Sequence, residues 1–150
     1  MKISNGFDIS ASALTAQRLR MDVVSSNIAN AETTRAKVVN GEAVPYRRKE
    51  VVLSTNKPSF ADTLDSAMSG SNSGIDGVKA VQIKEDQEPF KLVYNPTHPD
   101  ADKNGYVKMP NVDTLKEMVD MISASRSYEA NVTALNASKA MITKALQIGK

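Results

Sequence analysis

Apolar residues recur at a seven-residue step at both ends of the chain, and the segment between follows other rules. From Asn111 to Lys150, Met121, Tyr128, Leu135 and Ile142 fall in one line, while Met118, Val132 and Leu146 form a neighbouring line interrupted by Ser125 and Lys139. Such a pattern is the a/d seam of a helix that lies along another helix. No proline follows Pro110 and the one later glycine is Gly149, so the stretch predicts a helix of roughly 35 residues, about 50 Å at ~1.5 Å per residue. Near the other end Phe7, Leu14, Met21 and Ile28 repeat the step, with Ala11, Val24 and Ala31 widening the stripe and Ser4, Asp8 or Ser10 placed to cap it. The two stripes are natural partners. The expected fold is therefore α+β and mainly α: long N- and C-terminal helices pairing as a coiled coil, with a small central β-hairpin domain and flexible loops. Residues 1–34 with 111–150 form the expected helical assembly domain, and 35–110 the β-rich outer domain, with a flexible linker near 66–77.

In the middle the period changes. After Thr33 and Thr34, Gly41 and Pro45 punctuate the chain, and Tyr46–Leu53 reads as a short strand whose basic start, Arg47-Arg48-Lys49, is expected to be a solvated strand end. Phe60–Leu64 is a candidate helical turn, and Ser69 to Gly74 has linker composition. Val78, Ala80 or Val81, and Ile83 alternate with Lys79, Gln82 and Lys84, which predicts a strand, and Pro89–Tyr94 predicts another. Asn104-Gly105 is a hairpin signal. Asp113 or Asn111 is placed to cap the last helix, where Thr114 and Glu117 have capping-box spacing.

Composition narrows the reading. Aromatic residues make up 5% and Trp is absent, which points to thin helix–helix contacts in place of a thick core. Small polar residues, among them Ser25, Asn27, Asn131 and Ser138, lie all around the helical stretches and suit close packing in an assembly. The net charge of +2 gives no ground for a nucleic-acid partner, and the absence of cysteine leaves no disulfide framework or thiolate metal site. Met1–Gly6 lacks the apolar core of a cleaved signal peptide, and no apolar run approaches the ~20 residues that span a bilayer. Asp100-x-Asp102-x-Asn104-Gly105 matches the first half of a calcium loop, but Asn111 stands where the bidentate Glu belongs and Pro96 and Pro99 precede it, so a polar turn is expected. His98 is the sole histidine and has no cysteine or second histidine to work with. No catalytic, cofactor-binding or metal residue is expected. The expected site is the seam: Phe7, Leu14, Met21, Val24, Ile28, Met118, Met121, Tyr128, Val132, Leu135, Ile142 and Leu146.

Short motifs at the two ends add a resemblance. Ser25 to Thr33 resembles the ANxxT-containing N-terminal signature of the flagellar rod and hook proteins, with Ala29, Asn30 and Thr33 in the matching places. Ser127-Tyr128-Glu129-Ala130-Asn131 resembles the YEAN segment of the same group, matched at Tyr128, Glu129 and Asn131. Tyr94 to Asp102, then Gly105 to Val107 and Met109 to Val112, is similar to a short proximal-rod member, whereas residues 37–77 match poorly and Glu32 stands where Asn or Asp is more usual. The resemblance implies an axial structural protein with no enzymatic activity or cofactor. It would be made in the cytoplasm, exported through the flagellar type III apparatus without signal cleavage, and added to the rod crossing the periplasm. Its partners would be other copies of itself and other rod proteins around an export channel, transmitting torque, with no nucleic acid or small-molecule substrate. From the residues alone, a soluble coiled-coil adaptor or export-chaperone-like module is the alternative.

Overall fold

A computed structural model describes residues 4–39, 42–56, 64, 68 and 77–148. Helix α1 spans Ser4–Ala29. Strands β1 (Lys37–Val39), β2 (Glu42–Val44), β3 (Lys49–Thr55), β4 (Val78–Glu85), β5 (Lys91–Tyr94) and β6 (Tyr106–Met109) follow, and helix α2 spans Thr114–Ile148. Two long helices with small strand pairs make this a mixed α+β chain. Among the described residues no helix is long and apolar enough to cross a membrane.

The helix ends follow from local chemistry. The Asp113 carboxylate accepts the amides of Leu115 at 3.1 Å and Lys116 at 3.5 Å, so Asp113 is the N-cap of α2. Glu117 therefore lies one position too late for the capping box that its spacing to Thr114 suggested, and its side chain is free to go elsewhere. Helix α1 stops at Ala29, two residues short of the expected Ala31. Asn30 turns its side-chain amide back onto the Ser26 carbonyl at 2.9 Å, and the Thr33 amide bonds the Asn30 carbonyl at 3.1 Å. Thr15, Thr133 and Thr143 within the helices bond their own backbone four residues back, Thr133 to the Glu129 carbonyl at 2.9 Å.

Among the described residues the strands form three separate two-stranded sheets. β1 and β2 are antiparallel with Val38 opposite Ala43, a hairpin absent from the expectation above although Asn40-Gly41, a hairpin signal, stands between the two strands in the sequence. β3 pairs with β4, and bonds from the Asn56 amide to the Gly77 carbonyl and from the Asp86 amide to the Arg48 carbonyl mark its two ends. β3 starts at Lys49, not Tyr46, because the Tyr46 amide bonds the Thr33 carbonyl and the Arg48 amide the Asn111 side chain, outside any strand pairing. β5 and β6 are antiparallel with Val93 opposite Val107. Asn104-Gly105 closes the end of the long 95–105 connection and is not a two-residue hairpin. Gly105 has φ 79°, a left-handed conformation that glycine adopts without penalty. Apart from Leu64, Met68 and Gly77, the helical turn expected over Phe60–Leu64 and the linker near 66–77 lie outside the described residues.

The chain divides into two compact units. One draws on Met1–Leu19, Val52–Gln82 and Ala124–Lys150. Among the described residues its buried ones are small, Ser10, Ala16 and Ala124, and the Ser12 hydroxyl ties α1 to β4 by accepting the Val78 amide at 3.1 Å. The other draws on Arg20–Val51 and Ile83–Ser123. Its interior combines Val23, Val24, Tyr46, Val107 and Val112 with the polar side chains of Asn27, Arg48, Asn111 and Glu117.

Candidate assembly site

The polar centre of the second unit is built from four elements. Asn27, one turn from the end of α1, is 0% exposed and fully bonded. Its amide group donates to the Lys49 carbonyl at 2.8 Å and to the Glu117 carboxylate at 2.9 Å. Its carbonyl accepts the Lys49 amide at 3.0 Å and the Tyr46 hydroxyl at 2.9 Å. The side chain thus pairs with one residue of β3 as a neighbouring strand would. An amide has two donors and two acceptor sites, and all four are used here.

Glu117, also 0% exposed, offers its second oxygen to Nε of Arg48 at 2.6 Å. The Arg48 guanidinium further contacts Glu50, Asp86 at 3.3 Å and Asp120 at 3.8 Å, and Arg20 reaches Asp120 at 3.3 Å. The Arg48 amide donates to Asn111 at 2.9 Å. Burial works against the Arg48 charge, but hydrogen bonding and attraction from Glu117 and then Glu50 outweigh it, so its pKa is raised. The basic run 47–49 is therefore no solvated strand end: Arg48 is buried at the centre, Arg47 lies 4.5 Å over the Phe90 ring, and Lys49 lies 5.5 Å over Tyr46. The Asp86 carboxyl is held below the usual range, first by the Glu88 amide and then, against some burial, by Arg48. This network joins the last turns of α1 to the first turns of α2. With Arg20 opposite Asp120 and Asn27 opposite Glu117, the two helices run antiparallel within this unit.

The motif residues have identifiable local work. Asn30 and Thr33 form the turn after α1: the Thr33 hydroxyl donates to the Asn30 side chain at 3.2 Å, and the Thr33 carbonyl accepts the Tyr46 amide at 3.1 Å. Ala29 is exposed at the helix end. In α2, Asn131 donates to the Ser127 carbonyl at 2.8 Å, Tyr128 is half-buried and Glu129 is exposed. Of the seam residues, Val24 is buried. Phe7, Leu14, Met21, Ile28, Met121, Tyr128, Val132, Leu135 and Ile142 are half-buried, and Met118 and Leu146 are exposed.

A second polar feature lies between the β1–β2 and β5–β6 hairpins. Asp100 takes the Arg35 guanidinium and, at 2.8 Å, the Thr34 hydroxyl, which hold its carboxyl below the usual range. The Asp100 amide donates to Nδ1 of His98 at 3.1 Å. The first residue of the calcium-like run and the single histidine thus sit inside one loop network beside an open cleft.

Sequence reasoning gave no role to Asp86 and Asp120, read Tyr46 and Arg48 as part of a strand with a solvated basic start, named Asn27 only among small polar residues suited to close packing, and assigned Asn111 and Glu117 to the cap of the last helix. One signal was present: Asn27 follows Val23 by four residues and Val24 by three, which puts it on the apolar face of α1, a place where a polar side chain needs a partner. Nothing local pointed to which partner.

The chain is similar to known proteins over its whole length. A family model described as "Flagella basal body rod protein" matches residues 7–37, and one described as "Flagellar basal body rod FlgEFG protein C-terminal" matches 103–148. A protein of Bacillus subtilis named flagellar basal-body rod protein FlgC is 62% identical, with 100% of both chains covered. Proteins of the same name are 47% identical in Escherichia coli O6:H1 over 100% of both chains, and 42% identical in Borreliella burgdorferi over 99% of this chain and 98% of the relative.

Proposed function

Since the chain belongs to the flagellar basal-body rod protein family of the FlgC relatives, a structural subunit of the basal-body rod, we propose that it joins the rod through its two terminal helices. The observation that carries this reading is the mismatch between helix length and burial. α2 has 35 residues, yet among the described residues its buried side chains are Glu117 and Ala124, while Met118, Met141 and Leu146 stay exposed. Helices of that length with so little buried apolar area gain stability from neighbours. In this proposal the seam from Phe7 to Ile28 and from Met118 to Leu146 pairs in coiled-coil fashion once the subunit is in place, and other copies and other rod proteins cover what remains. Contacts of one face with a different face build open helical arrays. The subunit sits in the proximal rod around the export channel, after passage through the flagellar export apparatus without signal cleavage. Residues 35–110 form its outer part.

Deletion of the gene tests the placement. Isolated basal bodies should show rings without rod or hook by electron microscopy, and the wild-type gene should restore them. Intact motile flagella would overturn it. Leu135→Asp and Met21→Asp test the helices: each places an unpaired charge in the seam, at a cost of several kcal/mol, and motility should be lost while the protein is still made.

A further inference from the structure

Two lines of residues flank the central line Met121, Tyr128, Leu135 and Ile142 of α2. Met118, Val132 and Leu146 lie on one side, and Glu117, Ala124 and Ser138 on the other. Apolar burial alone turns a helix so that its most apolar face is covered, which here is the Met118 side. The structure turns the other side in. Glu117 and Ala124 are 0% exposed, whereas Met118 is 50% and Leu146 70% exposed. Leu115, Val119 and Ile122, farther round on the Met118 side, are more than half exposed as well. Nearer the C-terminus the Ser138 hydroxyl lies 4.0 Å from the place that a Cβ on Gly6 of α1 would take. At Asn131 and Val132 the two sides are alike, both half-buried. Exchanging one side for the other takes a roll of about 50°, half of the ~100° between successive residues of an α-helix.

The contacts of Glu117 resist that roll from two directions. One oxygen accepts from Asn27 of α1 at 2.9 Å, and the other from Arg48, just before β3, at 2.6 Å. Asp120, on the next turn, holds Arg20 of α1 at 3.3 Å and Arg48 at 3.8 Å. In a helix ~10–12 Å across, a roll of about 50° carries a side-chain tip some distance on the order of 5 Å. No hydrogen bond survives such a displacement. Both Glu117 bonds break together, and Asn27 and Arg48 are left buried without their carboxylate.

We propose that Asn27, Arg48 and Glu117 lock the roll of α2: this contact, and not apolar burial, decides which side of the helix faces α1 in the isolated chain. A polar group inside a helix contact specifies alignment at a cost in stability in the same way. Closing the seam as read above, with Met118 inside it, requires the lock to yield, and that consequence alone rests on the rod reading.

The chain contains no cysteine, so single cysteines report the roll in the purified whole chain. Met118→Cys and Ala124→Cys are placed in separate chains, and their rates of reaction with a maleimide are measured with and without Arg48→Met/Glu117→Gln. That pair of substitutions removes both charges and keeps position 117 polar, so apolar burial then favours the Met118 side. With the lock intact, Met118→Cys should react about tenfold faster than Ala124→Cys or more. With it removed, the Met118→Cys rate should fall and the Ala124→Cys rate rise, each by about tenfold, at unchanged far-UV helix signal. Opposite changes are the signature of a roll, because loosening or unfolding raises both rates. Unchanged rates, or rates that rise together in a chain that keeps its helix signal, would overturn the proposal. Where the double substitution lowers the helix signal, Glu117→Gln alone takes its place. The same opposite changes, of about threefold, are then required, and their absence is equally decisive.

Discussion

Replacing the Arg48–Glu117 pair tests whether the buried network sets the stability of the second unit. The Glu117 side chain is 1% exposed and its oxygens are held by Arg48 and Asn27. Arg48→Met leaves that carboxylate buried with one neutral donor, and breaking a buried pair from one side costs about 3–5 kcal/mol. Glu117→Leu should be milder, about 2–4 kcal/mol, because Arg48 retains Glu50, Asp86 and Asp120, all more exposed than Glu117. Independent effects would sum to roughly 5–9 kcal/mol, comparable to the whole stability of a small domain. The double variant instead removes both charges and fills the space with apolar atoms, so it should lie within about 1–3 kcal/mol of the wild type. The residual cost is the second donor of Asn27, which loses its acceptor. Urea unfolding of the three variants, followed by far-UV circular dichroism, gives the coupling energy directly from a double-mutant cycle. A coupling of about 3 kcal/mol or more is expected. Additive single effects would refute the argument, since they would mean that each side chain acts through packing and not through its partner.

Other consequences follow from the same contacts. Asn27→Ala strands the Lys49 backbone groups and the Tyr46 hydroxyl and should cost about 2–4 kcal/mol by the same unfolding measurement; Asn27→Asp should be no better at neutral pH, because it faces Glu117 with a second carboxylate. Asp86 and Asp100 have lowered pKa values in the folded chain. Their stabilisation is present above the unfolded Asp value of about 3.9 and lost as pH falls below it. Stability measured from pH 5 to pH 2 should therefore decline with a slope that Asp86→Asn reduces. Gly105→Ala should cost about 1–2 kcal/mol from its positive φ; its Cβ would also lie 2.9 Å from the Tyr94 ring, and the loss should appear as faster amide exchange in β5 and β6. Asp113→Ala removes the α2 cap and should lower stability by about 1 kcal/mol in the same urea assay.

Much of the backbone was legible in the chain. α2 follows from an apolar period uninterrupted by proline or glycine between Asn111 and Ile148, and its start from the short carboxylate of Asp113. β4 follows from the alternation of Val78 to Lys84, and the axial family from the motifs around Asn30 and Tyr128. These features depend on neighbours within a turn or a strand, so the sequence alone determines them. The polar centre does not work that way. Arg48 and Glu117 carry no mark that separates them from solvated residues of the same types, and the position of Asn27 among apolar residues shows that it needs a partner without showing which. They are buried because three remote segments converge, and a charge tolerates burial only where its partners arrive with it. The β1–β2 hairpin, by contrast, is written in the sequence, as Asn40-Gly41 between Lys37–Val39 and Glu42–Val44. Which apolar faces the fold covers and which, like Leu115 to Ile122, it leaves open is also decided only by tertiary structure. A periodic stripe says that a helix needs a partner; only the packed chain shows which side already has one.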